Sequence, residues 1–160
     1  MMKKSLSACL LSSALLAGCA GSNEIDAEGC EHLQQGPGVS LTASASTSGA
    51  PAVSNDHKRY DLTLPSGSGG ATGSVSFAAS QATDYVFFLS ADVPLKVSSS
   101  SGAQVQFESS TKSSKSCGDI KGRSVAPLQV GTYTLTFGPS TLDKVSLVIE
   151  ESGAGHDHAS

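Results

Sequence analysis

From Tyr60 onward, apolar side chains recur at every second position. Tyr60, Leu62 and Leu64 alternate with polar residues, as do Val75 and Phe77, Leu95 and Val97, and Val105 and Phe107. Tyr133, Leu135 and Phe137 repeat the pattern, and Val145, Leu147 and Ile149 complete it. A period of two is that of a strand with one buried face. Tyr85, Phe87 and Leu89 share one face of a further run whose other face carries Val86 and Phe88, so this strand reads as central in a sheet. Val125 and Leu128, around Pro127, give a weaker or bent strand. Turn-forming clusters separate the runs: Ser66 to Gly70, Ser100-Ser101-Gly102, Cys117-Gly118-Asp119 and Gly138-Pro139-Ser140. No segment holds a helical period of useful length. About eight short strands without helical crossovers predict an all-β fold, an antiparallel β-sandwich of jelly-roll type. Phe77, Phe87, Leu89, Phe107, Tyr133, Leu135 and Leu147 are its expected core.

The pattern divides the chain into four stretches. Residues 1–18 have a positive start, Lys3 and Lys4, and then an apolar run from Leu6 to Ala17. That run is shorter than the ~20 residues needed to span a bilayer and has the size of a signal-peptide core. Residues 19–55 are poor in large apolar side chains: Glu24, Asp26, Glu28 and Glu31 come first, then a Ser/Thr/Ala-rich segment. They read as a polar arm that buries too little to fold alone. Cys30-Glu31-His32-Leu33 before Gly36-Pro37-Gly38 is the exception, expected to pack locally. Residues 56–151 hold the β domain, and 152–160 read as a flexible tail ending in His156-Asp157-His158.

Leu16-Ala17-Gly18-Cys19 directly follows the apolar run and resembles the lipobox of bacterial lipoproteins. The resemblance implies cleavage before Cys19, acylation of its thiol and attachment to a membrane through that lipid. Ala20, where an Asp would mark retention in the inner membrane, implies the outer membrane. Residues 73–150 are similar to the small β-sandwich modules of secreted bacterial peptidases, the pre-peptidase C-terminal type. The similarity lies in Asp84 to Leu89, Gly102-Ala103 and Leu128 to Leu135. It implies a stabilising or substrate-associating module.

Cleavage after residue 18 would leave 142 of the 160 residues, enough for one core domain. The leader holds two of the ten basic residues and none of the 14 acidic ones, so the remaining net charge is about −6. That charge disfavours nucleic acid as a partner. With Cys9 in the leader and Cys19 acylated, Cys30 and Cys117 are left, and an oxidising compartment predicts a disulfide between them. Closing so long a loop constrains the unfolded chain by ~4 kcal/mol.

No G-x-S-x-G elbow, H-E-x-x-H helix or phosphate-binding loop occurs in the sequence. The chain therefore reads as a non-catalytic outer-membrane lipoprotein with a structural or partner-binding role in the cell envelope, its partner an envelope protein. The alternative is a periplasmic transition-metal-binding protein. Imidazole suits Zn²⁺, Ni²⁺ and Cu²⁺, and His156, Asp157 and His158 with His32 and His57 are the candidate ligands. Met1 and Met2 are the sole methionines, so cleavage leaves no thioether for Cu(I).

Overall fold

The computed structural model describes residues 22–152, so the leader, the lipobox, Cys19 and the tail residues His156, Asp157 and His158 lie outside the described residues. The described chain begins with a helix, α1 (Ser22–Gln35). Twelve strands follow: β1 (Gly38–Thr42), β2 (Ala52–Val53), β3 (Arg59–Thr63), β4 (Ser66–Gly67), β5 (Gly70–Ala79) and β6 (Thr83–Leu89), then β7 (Leu95–Ser99), β8 (Gln104–Val105), β9 (Ser109–Thr111), β10 (Gly122–Leu128), β11 (Gly131–Ser140) and β12 (Lys144–Ser152). They form two sheets. The first has the order β1-β3-β12-β6-β10-β9; the second has the order β2-β5-β11-β7-β8, with β4 beside β5.

The all-β expectation is overturned by α1, which packs against β12 and makes the fold a mixed α/β one. The helix has clear local causes. Asn23 suits an N-terminus, and Glu24 in the first turn is favourable to the helix dipole. The Gly36 amide donates to the His32 carbonyl at 3.0 Å, and Pro37 cannot continue the ladder. The wholly antiparallel expectation is corrected as well. β1 pairs with β3 in parallel, and β2 with β5 in parallel, so the Ser/Thr-rich segment adds an edge to each sheet. No helix among the described residues is long and apolar enough to cross a membrane.

One apolar cluster fills the space between the sheets. Leu62, Tyr85, Phe87, Leu89, Leu147 and Ile149 from the first sheet meet Val75, Phe77, Val97, Leu135 and Phe137 from the second. The Phe77 ring stands nearly perpendicular to those of Tyr85 and Phe87, with centroids 5.1 and 6.1 Å away, the edge-to-face arrangement that aromatic quadrupoles favour. Phe107 is only partly buried, because it follows the two-residue edge strand β8 instead of lying within a long inner strand.

A second, smaller cluster lies on the opposite face of the first sheet. Leu33 of α1 is buried there with Val86, Phe88, Cys117, Ile120 and Val148, and Ile25 and Cys30 are partly buried against them. The double-sided β6 pattern is thereby explained: Val86 and Phe88 face the helix. Gly29 permits the close approach, since a β-carbon at that position would sit 2.4 Å from the Phe88 ring.

Candidate metal centre

At 3.6 residues per turn, Ile25, Gly29 and Leu33 make a stripe along α1. Cys30 lies on one side of that stripe, and Glu28 and His32 lie on the other. Glu28 and His32 are four residues apart, so their side chains are neighbours on the helix surface. Below them runs β12, whose Val148 belongs to the helix-side cluster. Glu150 follows two residues later on the same face of the strand, with its side chain 1 % exposed. The fourth member, His57, comes from the turn before β3.

Glu28, His32, His57 and Glu150 each place one ligand atom within 4.8 Å of every other. His32 Nδ1 lies 2.6 Å from Glu150 Oε1. His57 Nδ1 lies 3.6 Å from Glu28 Oε1 and 3.8 Å from Glu150 Oε2. The two imidazole centroids are 4.8 Å apart. Zinc-type bonds of ~2.0–2.1 Å in a tetrahedron set neighbouring ligand atoms about 3.4 Å apart. Both His57 distances are close to that value. The His32–Glu150 contact is a hydrogen bond, and it would open by about 0.8 Å and release its proton on metal binding. Glu28 Oε1 is shielded from solvent and makes no hydrogen bond among the described residues. A buried His/Glu cluster of this composition can coordinate a divalent metal. A cleft of about 310 Å³, lined in part by His32, Gln35, Pro37, His57 and Lys58, opens beside it.

The turn that carries His57 is held from below. The buried Tyr60 hydroxyl accepts from the Ser54 amide at 3.1 Å and donates to Asp56 Oδ1 at 2.9 Å. Burial acts to raise the Asp56 pKa, but hydrogen bonds from Lys58, Tyr60 and Ser54 together outweigh it and hold the carboxyl below its ordinary value. His57 itself has φ 58°, a left-handed backbone that costs a non-glycine residue ~1–2 kcal/mol and that Asn, Asp and His adopt most readily.

Further contacts fix the helix over the sheet. Arg59 Nη1 donates to the Leu33 carbonyl at 3.1 Å, while its Nε and Nη2 reach Asp61 Oδ1 and Oδ2 at 3.0 and 3.2 Å. Asp61 is also raised by burial, but Ser146 and Arg59 hold its pKa below the ordinary carboxyl value. Asp26, on the cystine side, accepts from Ser114 Oγ at 2.5 Å and from Arg123 Nε at 2.6 Å. Cys30 is bonded to Cys117, with 5.8 Å between the α-carbons.

Of the five ligands expected from the sequence, His32 and His57 come together here. His156, Asp157 and His158 fall outside the described residues. Glu28 and Glu150 were missed. The Glu28–His32 spacing signals a site only once the segment is known to be helical, and Glu150 gives no sign of burial until the helix above it is seen. No protein-family model matches the sequence, and no curated protein matches it either.

Proposed function

We propose that this protein binds a divalent transition metal through Glu28, His32, His57 and Glu150. The convergence of two imidazoles and two carboxylates from a helix, a turn and a strand within 4.8 Å carries the reading. A nitrogen and oxygen donor set without thiolate or thioether suits Zn²⁺, Ni²⁺ or Cu²⁺ better than Cu(I). Calorimetric titration with each of the three ions tests it. Replacing His57 with Asn keeps a residue that tolerates the left-handed backbone, and Glu150→Gln keeps the shape of the carboxylate. Each variant should weaken binding by at least the ~10–100-fold seen for lost outer-shell partners. A chain ending at residue 155 measures any share of His156, Asp157 and His158. If wild-type protein and both variants bind equally weakly, the metal reading is wrong.

A second reading is favoured by the 2.6 Å His32–Glu150 contact, which is already a complete hydrogen bond. In it the cluster is an ion-pair network fastening the helix, and the protein is a non-catalytic envelope lipoprotein that supports or binds a protein partner. Both readings include an acyl anchor on Cys19 and residence at the outer membrane, supported by Leu16-Ala17-Gly18-Cys19. Cys19→Ala should abolish fatty-acid labelling and release the chain from membranes; unchanged retention and labelling would refute the anchor.

A further inference from the structure

Helix α1 is fastened along both of its long sides. Cys30 projects from one side and is bonded to Cys117. Glu28 and His32 project from the other and meet His57 and Glu150. Between the two fastenings the apolar contact is small, with Leu33 the one buried apolar side chain the helix contributes among the described residues. A helix of 14 residues is marginal by itself, so its position over the sheet depends on its fastenings.

We propose that the Cys30–Cys117 disulfide and the metal site are coupled: the cystine presets the helical half of the ligand set, and a bound ion protects the cystine from reduction. This rests on the metal-binding reading above. Two of the four ligands ride on the helix and two stay with the sheet. Reduction by a dithiol breaks the S–S bond, leaves thiols on Cys30 and Cys117, and converts the reductant into its own disulfide. The helix then keeps its apolar and ionic contacts and loses its covalent one, so Glu28 and His32 are held less firmly over His57 and Glu150. The new Cys30 thiol does not replace them, because it lies about 160° around the helix from each. Coupling of this kind is reciprocal. Reduction should weaken Zn²⁺ binding about tenfold, within the ~5–150-fold common for coupled sites. The same tenfold lowers the reduction potential of the zinc-loaded cystine by ~30 mV.

The test uses the full chain with and without Zn²⁺, treated with a water-soluble phosphine. The phosphine is oxidised to its oxide with oxygen from water as the disulfide becomes two thiols. Alkylation and mass spectrometry of the peptides holding Cys30 and Cys117 give the rate. Zinc should slow reduction in the wild type, because the ion holds the helix down over the cystine. It should have no effect in Glu150→Gln, which leaves both cysteines in place and controls for zinc acting on the reagent. Zinc affinity of a Cys30→Ser, Cys117→Ser chain supplies the reverse measurement, with circular dichroism showing that its sheets persist. If the oxidised chain binds zinc and the Cys30→Ser, Cys117→Ser chain binds it equally tightly, the coupling is refuted and the metal reading stands. If the oxidised chain binds no zinc, the metal reading fails and the coupling with it.

Discussion

The two faces of the first sheet are packed by different means. On the inner face, Tyr85, Phe87, Leu89, Leu147 and Ile149 are buried against a second sheet with its own aromatic and aliphatic residues. On the outer face, Val86, Phe88 and Val148 meet one helix, whose stripe of Ile25, Gly29 and Leu33 is flanked by Cys30, together with Cys117 and Ile120 from the segment before β10. The first interface is one large apolar cluster. The second adds a disulfide, the Asp26–Arg123 ion pair, the Arg59 contact to the Leu33 carbonyl and a His/Glu cluster. Polar and covalent fastenings accumulate where the hydrophobic term is small, and there ligand chemistry becomes available.

Perturbing each layer tests this contrast. Phe87→Ala opens a cavity in the inter-sheet core and should cost about 3–5 kcal/mol in denaturant unfolding. A cost below about 1 kcal/mol would mean the inner face is not the main support. Gly29→Ala drives a methyl group into the Phe88 ring and should cost about 1–3 kcal/mol, confined to the helical layer. Hydrogen exchange should then quicken for amides of α1 and stay slow in β5 and β11; equal acceleration in all three would erase the distinction.

The smallest effect is expected at Asp61, on the outer face. Its folded pKa is lowered, so its contribution is present above the unfolded value of ~3.9 and lost as pH falls through the folded value. The side chain is 37 % exposed, so solvent screening keeps the gain under about 1 kcal/mol. Asp61→Asn should lower the thermal midpoint slightly at pH 7, and the gap between the two proteins should narrow as pH falls below the ordinary carboxyl value. A gap that widens in acid would contradict the assigned hydrogen bonds from Ser146 and Arg59.

The same contrast explains what was legible in the sequence. Inner-face positions announce themselves because they are large, apolar and spaced by two, as in Tyr133, Leu135 and Phe137. The double-sided run at Val86 and Phe88 reads as a central strand, which β6 is, but the pattern does not say what covers its second face. The helix escaped notice because its buried stripe includes a glycine and a cysteine between Ile25 and Leu33, where an apolar period would need large side chains. Summing visible strands therefore gave an all-β class that lacks the outer layer. His32 and His57 were recognisable as donors by residue type, and the disulfide followed from cysteine count. Glu28 and Glu150 were hidden because their partners lie far away in sequence: His32 and Glu150 are 118 positions apart.

The place of β12 in its sheet has a consequence for biosynthesis. It is the last described strand in chain order, yet it lies between β3 and β6. During synthesis the residues of α1 and of the turn at His57 are made long before the strand that must lie beneath them. The first sheet stays split until β12 inserts, and Glu150 arrives with it. Capture of an ion by all four residues is thus postponed until the rest of the domain has been made. A nascent or truncated chain lacking this strand would lack both the middle of its sheet and Glu150, the buried member of the His/Glu cluster.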